Sequence, residues 1–288
     1  MTLLPDLAIQ QQLSQQLAAQ LHQQAPITAQ IAQRFGKARE SYVGAARLQQ
    51  QVALNALTLL PSTSQGHLVD LGCGPGWLHP KFTEYCQQLT AIDLSQDMLA
   101  KAAELALAKE YLQADAAHLP LADNSVDKVF SSLMLQWCPK PSQVLSEMER
   151  VLANNGQFVI STLVQGSLDE LRHAFATLDN ENHVNEFLPA EQLMKLCQQI
   201  PGINWQFVQR SYPLYYPDVI SLARELKALG ANQVVGKKRL GLTGKQYWQQ
   251  LAQAYEQHRT AIGLKASYQV LFIYGKKLGP TNEPEHEL

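Results

Sequence analysis

The sequence predicts an α/β protein built on a doubly wound, mostly parallel seven-stranded sheet with helices on both faces. Two observations carry the prediction. Short apolar segments alternate with amphipathic helical segments between residues 67 and 162, the pattern of parallel strands joined by helical crossovers. The first apolar segment, His67-Leu68-Val69-Asp70-Leu71, runs straight into Gly72-Cys73-Gly74-Pro75-Gly76. Glycines at alternate positions let the chain turn sharply and let a ligand touch the main chain. Sheets of this kind bind ligands at the carboxyl ends of their strands. Right-handed crossovers leave few alternative topologies.

Each element has a local reason. Residues 1–30 are rich in Gln, Ala and Leu, with Leu13, Leu17 and Leu21 at helical spacing. They read as an amphipathic helix or as a disordered, solubilising extension. From Ile31 to Leu60 the apolar period stays helical, and Pro61 and Ser62 stop it. His67–Leu71 is then a strand and Trp77–Cys86 a helix. Leu89–Leu94 is a second strand, and Ser95 caps a helix over Gln96–Ala108. Tyr111–Ala114 and Ser125–Ser132 hold the third and fourth strands. Ser142–Leu152 is a helix, Asn154-Asn155-Gly156 a turn and Gln157–Thr162 the fifth strand.

Beyond this core, helical patterns cover Ser167–Leu178 and Ala190–Gln199. Trp205–Tyr212 reads as a strand, Pro217–Leu229 and Thr243–Ile262 as helices, and Tyr268–Lys276 as the last strand. The expected organisation is one domain over 31–278. Its ligand-binding core spans 66–165, a helical lid is inserted at 217–265, and the tail 279–288 is disordered.

Composition narrows the function classes. The chain has 288 residues, 46% apolar, with a net charge of −2. That balance lacks the basic excess of a general nucleic-acid binder. Cys73, Cys86, Cys138 and Cys197 form neither a CxxC pair nor a zinc-like spacing. No metal is expected. Without a run of roughly 20 apolar residues or a signal-like start, a cytoplasmic protein away from membranes is expected.

Three acidic residues follow three successive strands: Asp70, Asp93 and Asp115. Asp93 lies about 20 residues past the glycine turn, where a carboxylate reaches ribose hydroxyls. A nicotinamide dinucleotide fits this much. The spacing, however, is G-x-G-x-G rather than G-x-G-x-x-G, and an acid-lined pocket suits a sulfonium cation better than a polyanion. S-adenosylmethionine is therefore the expected cofactor. Asp93 alone also reads as a helix cap, and Leu94 and Met98 as core.

The region from 66 to 165 resembles the class I S-adenosylmethionine-dependent methyltransferases, with their Rossmann-like fold. The resemblance implies that Asp70, Gly72, Cys73, Gly74 and Gly76 line the methionine moiety. It puts Asp93 on the ribose, Leu94 and Met98 near adenine, and Asp115 and Ala116 on the adenine edge.

Segments outside the core resemble one subfamily, the malonyl-acyl carrier protein O-methyltransferases of biotin synthesis. They include Arg34-Phe35-Gly36-Lys37-Ala38 followed by Tyr42, Leu48 to Ala53, Leu133 to Trp137, Thr162-Leu163 leading into Gly166 to Leu171, Asn185 to Pro189, and Leu226 to Asn232. This implies methyl transfer from S-adenosylmethionine, which leaves as S-adenosylhomocysteine, to the free carboxylate of a malonyl thioester on an acidic carrier protein. An ionised carboxylate needs no general base, and none is evident after the fourth strand.

Tyr42 is the expected catalytic group, hydrogen-bonding the carboxylate; a packing tyrosine is the bland reading. Gln136, Trp137, Arg224 and Lys227 are the expected substrate contacts, with Trp137 equally readable as core. Lys237-Lys238-Arg239 reads as a carrier-protein contact or a solvated loop, and His183 and Asn185 as pocket neighbours or turn residues. A small-molecule methyltransferase of the quinone-biosynthesis type and a non-catalytic cofactor-binding regulator remain open on the residues alone.

Overall fold

Strand β1 (His67–Leu71) shows how the sheet buries both faces: Leu68 packs on one side, Val69 and Leu71 on the other. The same alternation runs through β5 (Leu152–Leu163), where Val159 faces one layer and Phe158 and Ile160 the other. A strand buried on both faces must be covered by helices on both. The computed structural model describes residues 28–38, 46–63, 65–179, 181–229 and 244–279.

Helix α1 covers 28–38. The order continues α2 (Arg47–Leu57), β1, α3 (His79–Phe82), β2 (Gln88–Asp93), α4 (Gln96–Ala103), β3 (Glu110–Gln113), β4 (Val126–Ser132), α5 (Pro141–Val151), β5, α6 (Asp169–Ala176) and α7 (Ala190–Gln198). It closes with β6 (Ile203–Tyr216), α8 (Val219–Ala228), α9 (Lys245–Tyr255), the two-residue β7 (Arg259–Thr260) and β8 (Gly263–Lys277).

The sheet order is β3-β2-β1-β4-β5-β8-β6, with β7 paired to β8. Strands β3 to β5 along this path are parallel, and β8 runs antiparallel to both β5 and β6. The strand order therefore reverses between β1 and β4, and that switch point is where a ligand crevice opens. Helices α2, α6, α8 and α9 pack on one face, and α5 and α7 on the other. Edge-to-face rings join strand to helix on the first face (Phe82–Phe130, 5.1 Å) and strand to strand on the second (Phe158–Trp205, 5.1 Å).

Several boundaries differ from the sequence expectation. The helix expected over Trp77–Cys86 is regular only at His79–Phe82. Beyond it the N–H groups of Glu84 and Tyr85 reach back three residues, and Thr83 Oγ1 donates to Pro80 O; such tight turns do not propagate a helix. Helix α4 stops at Ala103 rather than Ala108 because Ala106 turns left-handed (φ 51°). The helix expected over Thr243–Ile262 ends at Tyr255, and Arg259 and Thr260 instead form a hairpin with Leu264 and Gly263. In place of one helical run over 31–60 there are α1 and α2, on either side of residues outside the described set. Strands β6 and β8 are longer than expected, and Tyr216 pairs with Leu264. The chain between them thus leaves the sheet and returns at the same rung.

One buried cation holds the entry to β1. The Lys128 ammonium on β4 donates to Thr63 O and Oγ1 (2.6 Å each), Gln65 O (3.2 Å) and Tyr85 O. Burial lowers its pKa below the ordinary lysine value. Lys128→Met strands these acceptors and should cost about 2–3 kcal/mol of stability. A urea midpoint indistinguishable from the parent would contradict this role.

Candidate functional site

The carboxyl ends of β1, β2, β3 and β4 converge on one cavity. Its wall includes Gly72 and Gly74 after β1, Asp93 and Leu94 after β2, Ala114, Asp115 and Ala116 after β3, and Ser132 and Leu133 at the end of β4. Met98, in the first turn of α4, completes this side and is buried. Asp93 is the junction. One carboxylate oxygen accepts from Gly74 N (2.9 Å), the other from Ser95 N (2.8 Å). Burial nevertheless pushes its pKa up to about 6, and the neighbouring Asp70 adds to that shift. Asp115 uses one oxygen to accept from Ala117 N (2.9 Å), which fixes its carboxylate at the cavity edge.

The glycine turn fits a ligand that approaches the main chain. Gly72, Gly74 and Gly76 all have positive φ (76°, 54° and 72°). A Cβ on Gly74 would meet nothing within 4 Å. That open space, on a wall that also carries two carboxylates, suits a cationic ligand with ribose hydroxyls. Gly72 has a packing role as well: a Cβ there would meet Met134 Cγ at 2.5 Å. Asp70, Cys73 and Gly76 lie behind the wall rather than on it. Gly76 packs on the His79 ring, and His79 Nε2 lies 3.3 Å from Asp70 Oδ2, both side chains buried. Cys73 is raised well above the usual thiol range by burial, then by Asp93 and Asp70. Cys138, on the wall, is pushed up to about 12 by burial and then by Asp115. Neither is a ready nucleophile.

Helix α1 roofs the cavity with Thr28, Ile31, Ala32 and Phe35. It sits low because residue 36 is glycine. A Cβ on Gly36 would stand 2.5 Å from Asp97 Oδ2 and 3.1 Å from both Asp97 Cβ and Ser95 Oγ, at the start of α4.

A second cavity, of about 360 Å³, lies beyond Phe35, Leu133 and Trp137, which line both spaces. Its wall is largely apolar, with Leu168, Leu171 and Phe175 on one side and Val219 and Ala223 on another. Gln136, Trp137, Arg224 and Lys227 all line it, as do His183 and Asn185. Gln136 has its amide engaged: Nε2 donates to Leu133 O (2.6 Å), while Oε1 accepts from Thr162 Oγ1 (3.1 Å) and Leu163 N (3.4 Å). His183 Nε2 pairs with Asp179 Oδ1 (2.8 Å), and its ring stacks on Phe175 at 4.3 Å. Tyr42 and Lys237-Lys238-Arg239 lie outside the described residues.

Sequence reasoning missed two features here. Phe35 enters the sequence reading only as a helical position within the Arg34–Ala38 segment, with no role at the site. Glu225, between Arg224 and Lys227, also lines the second cavity. Its Oε2 accepts from Arg47 Nη2 (2.7 Å) and Nε (3.0 Å), and its Oε1 from the Tyr216 hydroxyl (2.8 Å). This pins α8 to α2 at the side of the cavity. No local signal marks a partner that distant in sequence. Among the described residues no three His, Cys, Asp or Glu side chains are grouped to hold a metal ion, and no helix is long and apolar enough to cross a membrane.

The strand order, the glycine turn and the cavity at the switch point define a Rossmann-like, class I S-adenosylmethionine-dependent methyltransferase fold. Residues 69–160 match the family described as Methyltransferase domain. The YcgJ protein of Bacillus subtilis has the same fold, at 15% identity and a TM-score of 0.55, covering 80% of this chain and 99% of that one. The malonyl-[acyl-carrier protein] O-methyltransferase of Yersinia pestis is 36% identical over 225 residues, 78% of this chain and 83% of that protein. Its namesake in Dechloromonas aromatica is 34% identical over 257 residues, 88% and 95% of the two chains. The biotin biosynthesis bifunctional protein BioHC of Cellvibrio japonicus is 38% identical over 245 residues, and this alignment spans only 49% of that longer protein. The chain belongs to the malonyl-[acyl-carrier protein] O-methyltransferase family.

Two measurements check this geometry. If Asp93 must be ionised to accept from the ligand, S-adenosylhomocysteine affinity should be flat above neutral pH. It should fall about tenfold per pH unit below the Asp93 pKa of about 6. The sign follows from the raised pKa: protons compete with the ligand as pH drops. Asp93→Asn should weaken binding by about 1–3 kcal/mol and flatten the profile, as read by calorimetry; an unchanged profile removes Asp93 from the contact. Gly36→Val should lift α1 and weaken S-adenosylhomocysteine binding at least about tenfold, worth about 1.4 kcal/mol, while the far-ultraviolet circular dichroism stays that of the parent. Parental affinity would show that α1 does not roof the site.

Proposed function

We propose that the protein is an S-adenosylmethionine-dependent carboxyl O-methyltransferase that esterifies the free carboxylate of malonyl-acyl carrier protein, an early step of biotin biosynthesis. The observation that carries this reading is the pair of cavities meeting at Phe35, Leu133 and Trp137. One is acid-lined at the strand ends; the other is apolar with Arg224 and Lys227 on its wall. Family membership selects the malonyl thioester over a quinone acceptor.

When bound, S-adenosylmethionine supplies a methyl group on a sulfonium, and S-adenosylhomocysteine is what remains. Asp93 would hold the ribose hydroxyls, and Asp115 with Ala116 the adenine edge. Leu94 and Met98 would pack on the base, and Gly72 and Gly74 would meet the methionine end, with Asp70, Cys73 and Gly76 supporting that turn from behind.

The acceptor carboxylate is already ionised at neutral pH, so no residue has to remove a proton. The oxygen–carbon bond forms as the sulfur–carbon bond breaks, and the protein's task is alignment. The apolar wall strips water from the nucleophile. Gln136 and Trp137 border its path. In sequence Tyr42 stands between α1, on the first cavity, and α2, on the second, and we assign it the hydrogen bond that orients the carboxylate.

Helices α8 and α9, within the 217–265 insertion, form the lid over the acyl group. Arg224 and Lys227, with exposed Ile220 one turn before Arg224, face the acidic carrier protein at its edge. The reaction is placed in the cytoplasm.

Purified protein should convert malonyl-carrier protein to its methyl ester, detected as the added methyl by mass spectrometry. Turnover on a quinol instead would overturn the acceptor assignment, and binding without turnover would point to a regulator. Arg224→Glu combined with Lys227→Glu should raise KM for malonyl-carrier protein about 10-fold or more, about 1.4 kcal/mol, and leave S-adenosylhomocysteine affinity alone. An unchanged KM would move the docking site elsewhere.

A further inference from the structure

Leu133 is in a conformation its side chain disfavours. It has φ 52°, the left-handed region that a bulky residue rarely enters. If only a turn were needed after β4, glycine or asparagine would make it without strain. The strain is held from both sides. Leu133 N donates to Ser161 O (2.8 Å), and Leu133 O accepts from Gln136 Nε2 (2.6 Å). Gln136 is in turn fixed to Thr162 and Leu163 of β5. The next residue, Met134, fills the space left by the missing Cβ of Gly72, so the turn after β4 rests on the glycine turn after β1.

The side chain that this backbone presents is 7% exposed and borders both cavities. Among the described residues only Phe35 and Trp137 share that position, and their rings meet edge to face at 5.2 Å and 80°. Strained residues over-determined by their surroundings concentrate at functional sites. Here the strain has a legible product: a third apolar group closing a ring that two aromatics begin.

We propose that Phe35, Leu133 and Trp137 form an apolar collar at the junction of the two cavities, and that the strained Leu133 backbone keeps water out of it during methyl transfer. The inference rests on the two-cavity reading above. A carboxylate oxygen attacking a sulfonium methyl needs a straight approach and little hydration. A collar of three apolar side chains provides both: it admits the methyl carbon and excludes water that would solvate the carboxylate. No proton moves. The collar residues touch the reacting groups, whereas Gln136 acts as a positioning residue through Leu133.

The test compares Leu133→Gly, which relaxes the backbone and removes the side chain, with Leu133→Ala, which removes the side chain and keeps the strain. Leu133→Gly is expected to melt no lower than Leu133→Ala. It should bind S-adenosylhomocysteine within about 3-fold of the parent (under about 0.7 kcal/mol) and to form methyl ester with kcat reduced at least about 10-fold. A parental kcat in Leu133→Gly would overturn the collar. A second readout needs no turnover. Trp137 emission, isolated by difference against Trp137→Phe, should become shielded from acrylamide when S-adenosylhomocysteine binds the parent, and should stay accessible in Leu133→Gly. Equal shielding in the two proteins would also overturn it. If the parent makes no malonyl ester, the acceptor assignment fails, and the emission arm still decides the collar.

Discussion

One carboxylate joins the parts of the site. Asp93 accepts from Gly74 N and Ser95 N, so it binds the turn after β1 to the start of the helix after β2. Both N–H groups lack partners within regular structure, and a buried N–H cannot be left unpaired without cost. The carboxylate satisfies them while lining the cavity. Its raised pKa shows that the pairing does not fully offset burial. A buried carboxylate whose charged form is disfavoured, set in a cleft at the strand ends, is the kind of group found where a ligand binds.

Around this junction the molecule divides its labour by topology. The parallel half, β3 to β5, brings strand ends and their acids together at the switch point. The antiparallel pair β6 and β8 lets a helical segment leave the sheet at Tyr216 and return at Leu264. That segment, with α1, α2 and α6, encloses the larger cavity. The Arg47–Glu225–Tyr216 cluster fastens α8 to α2 at its side, and the turn after β4 stands between the two halves.

The first half was legible in the sequence because its signals are local. A glycine turn directly after an apolar run, and an acid directly after each of the next two strands, place themselves once the strands are found. The second half was not. Phe35 looks like any apolar helix position, and nothing near it says that Gly36 lets its helix settle against Asp97. Glu225 finds its partner 178 residues away. A leucine gives no warning of positive φ, since the usual marks of that conformation are Gly and Asn. The helix read through to Ile262 failed because apolar spacing continued past Tyr255, while Gly263 closed a hairpin that helical periodicity does not detect.

In the proposed site two ligands meet across Leu133 and Trp137. A crystal structure of the protein with S-adenosylhomocysteine and malonyl-pantetheine tests it most directly. The sulfur should lie on the strand-end side of Leu133, with the malonyl carboxylate facing it from the apolar side and no ordered water between them. A carboxylate bound away from that junction, or a water layer separating it from the sulfur, would rule out direct transfer between the two cavities.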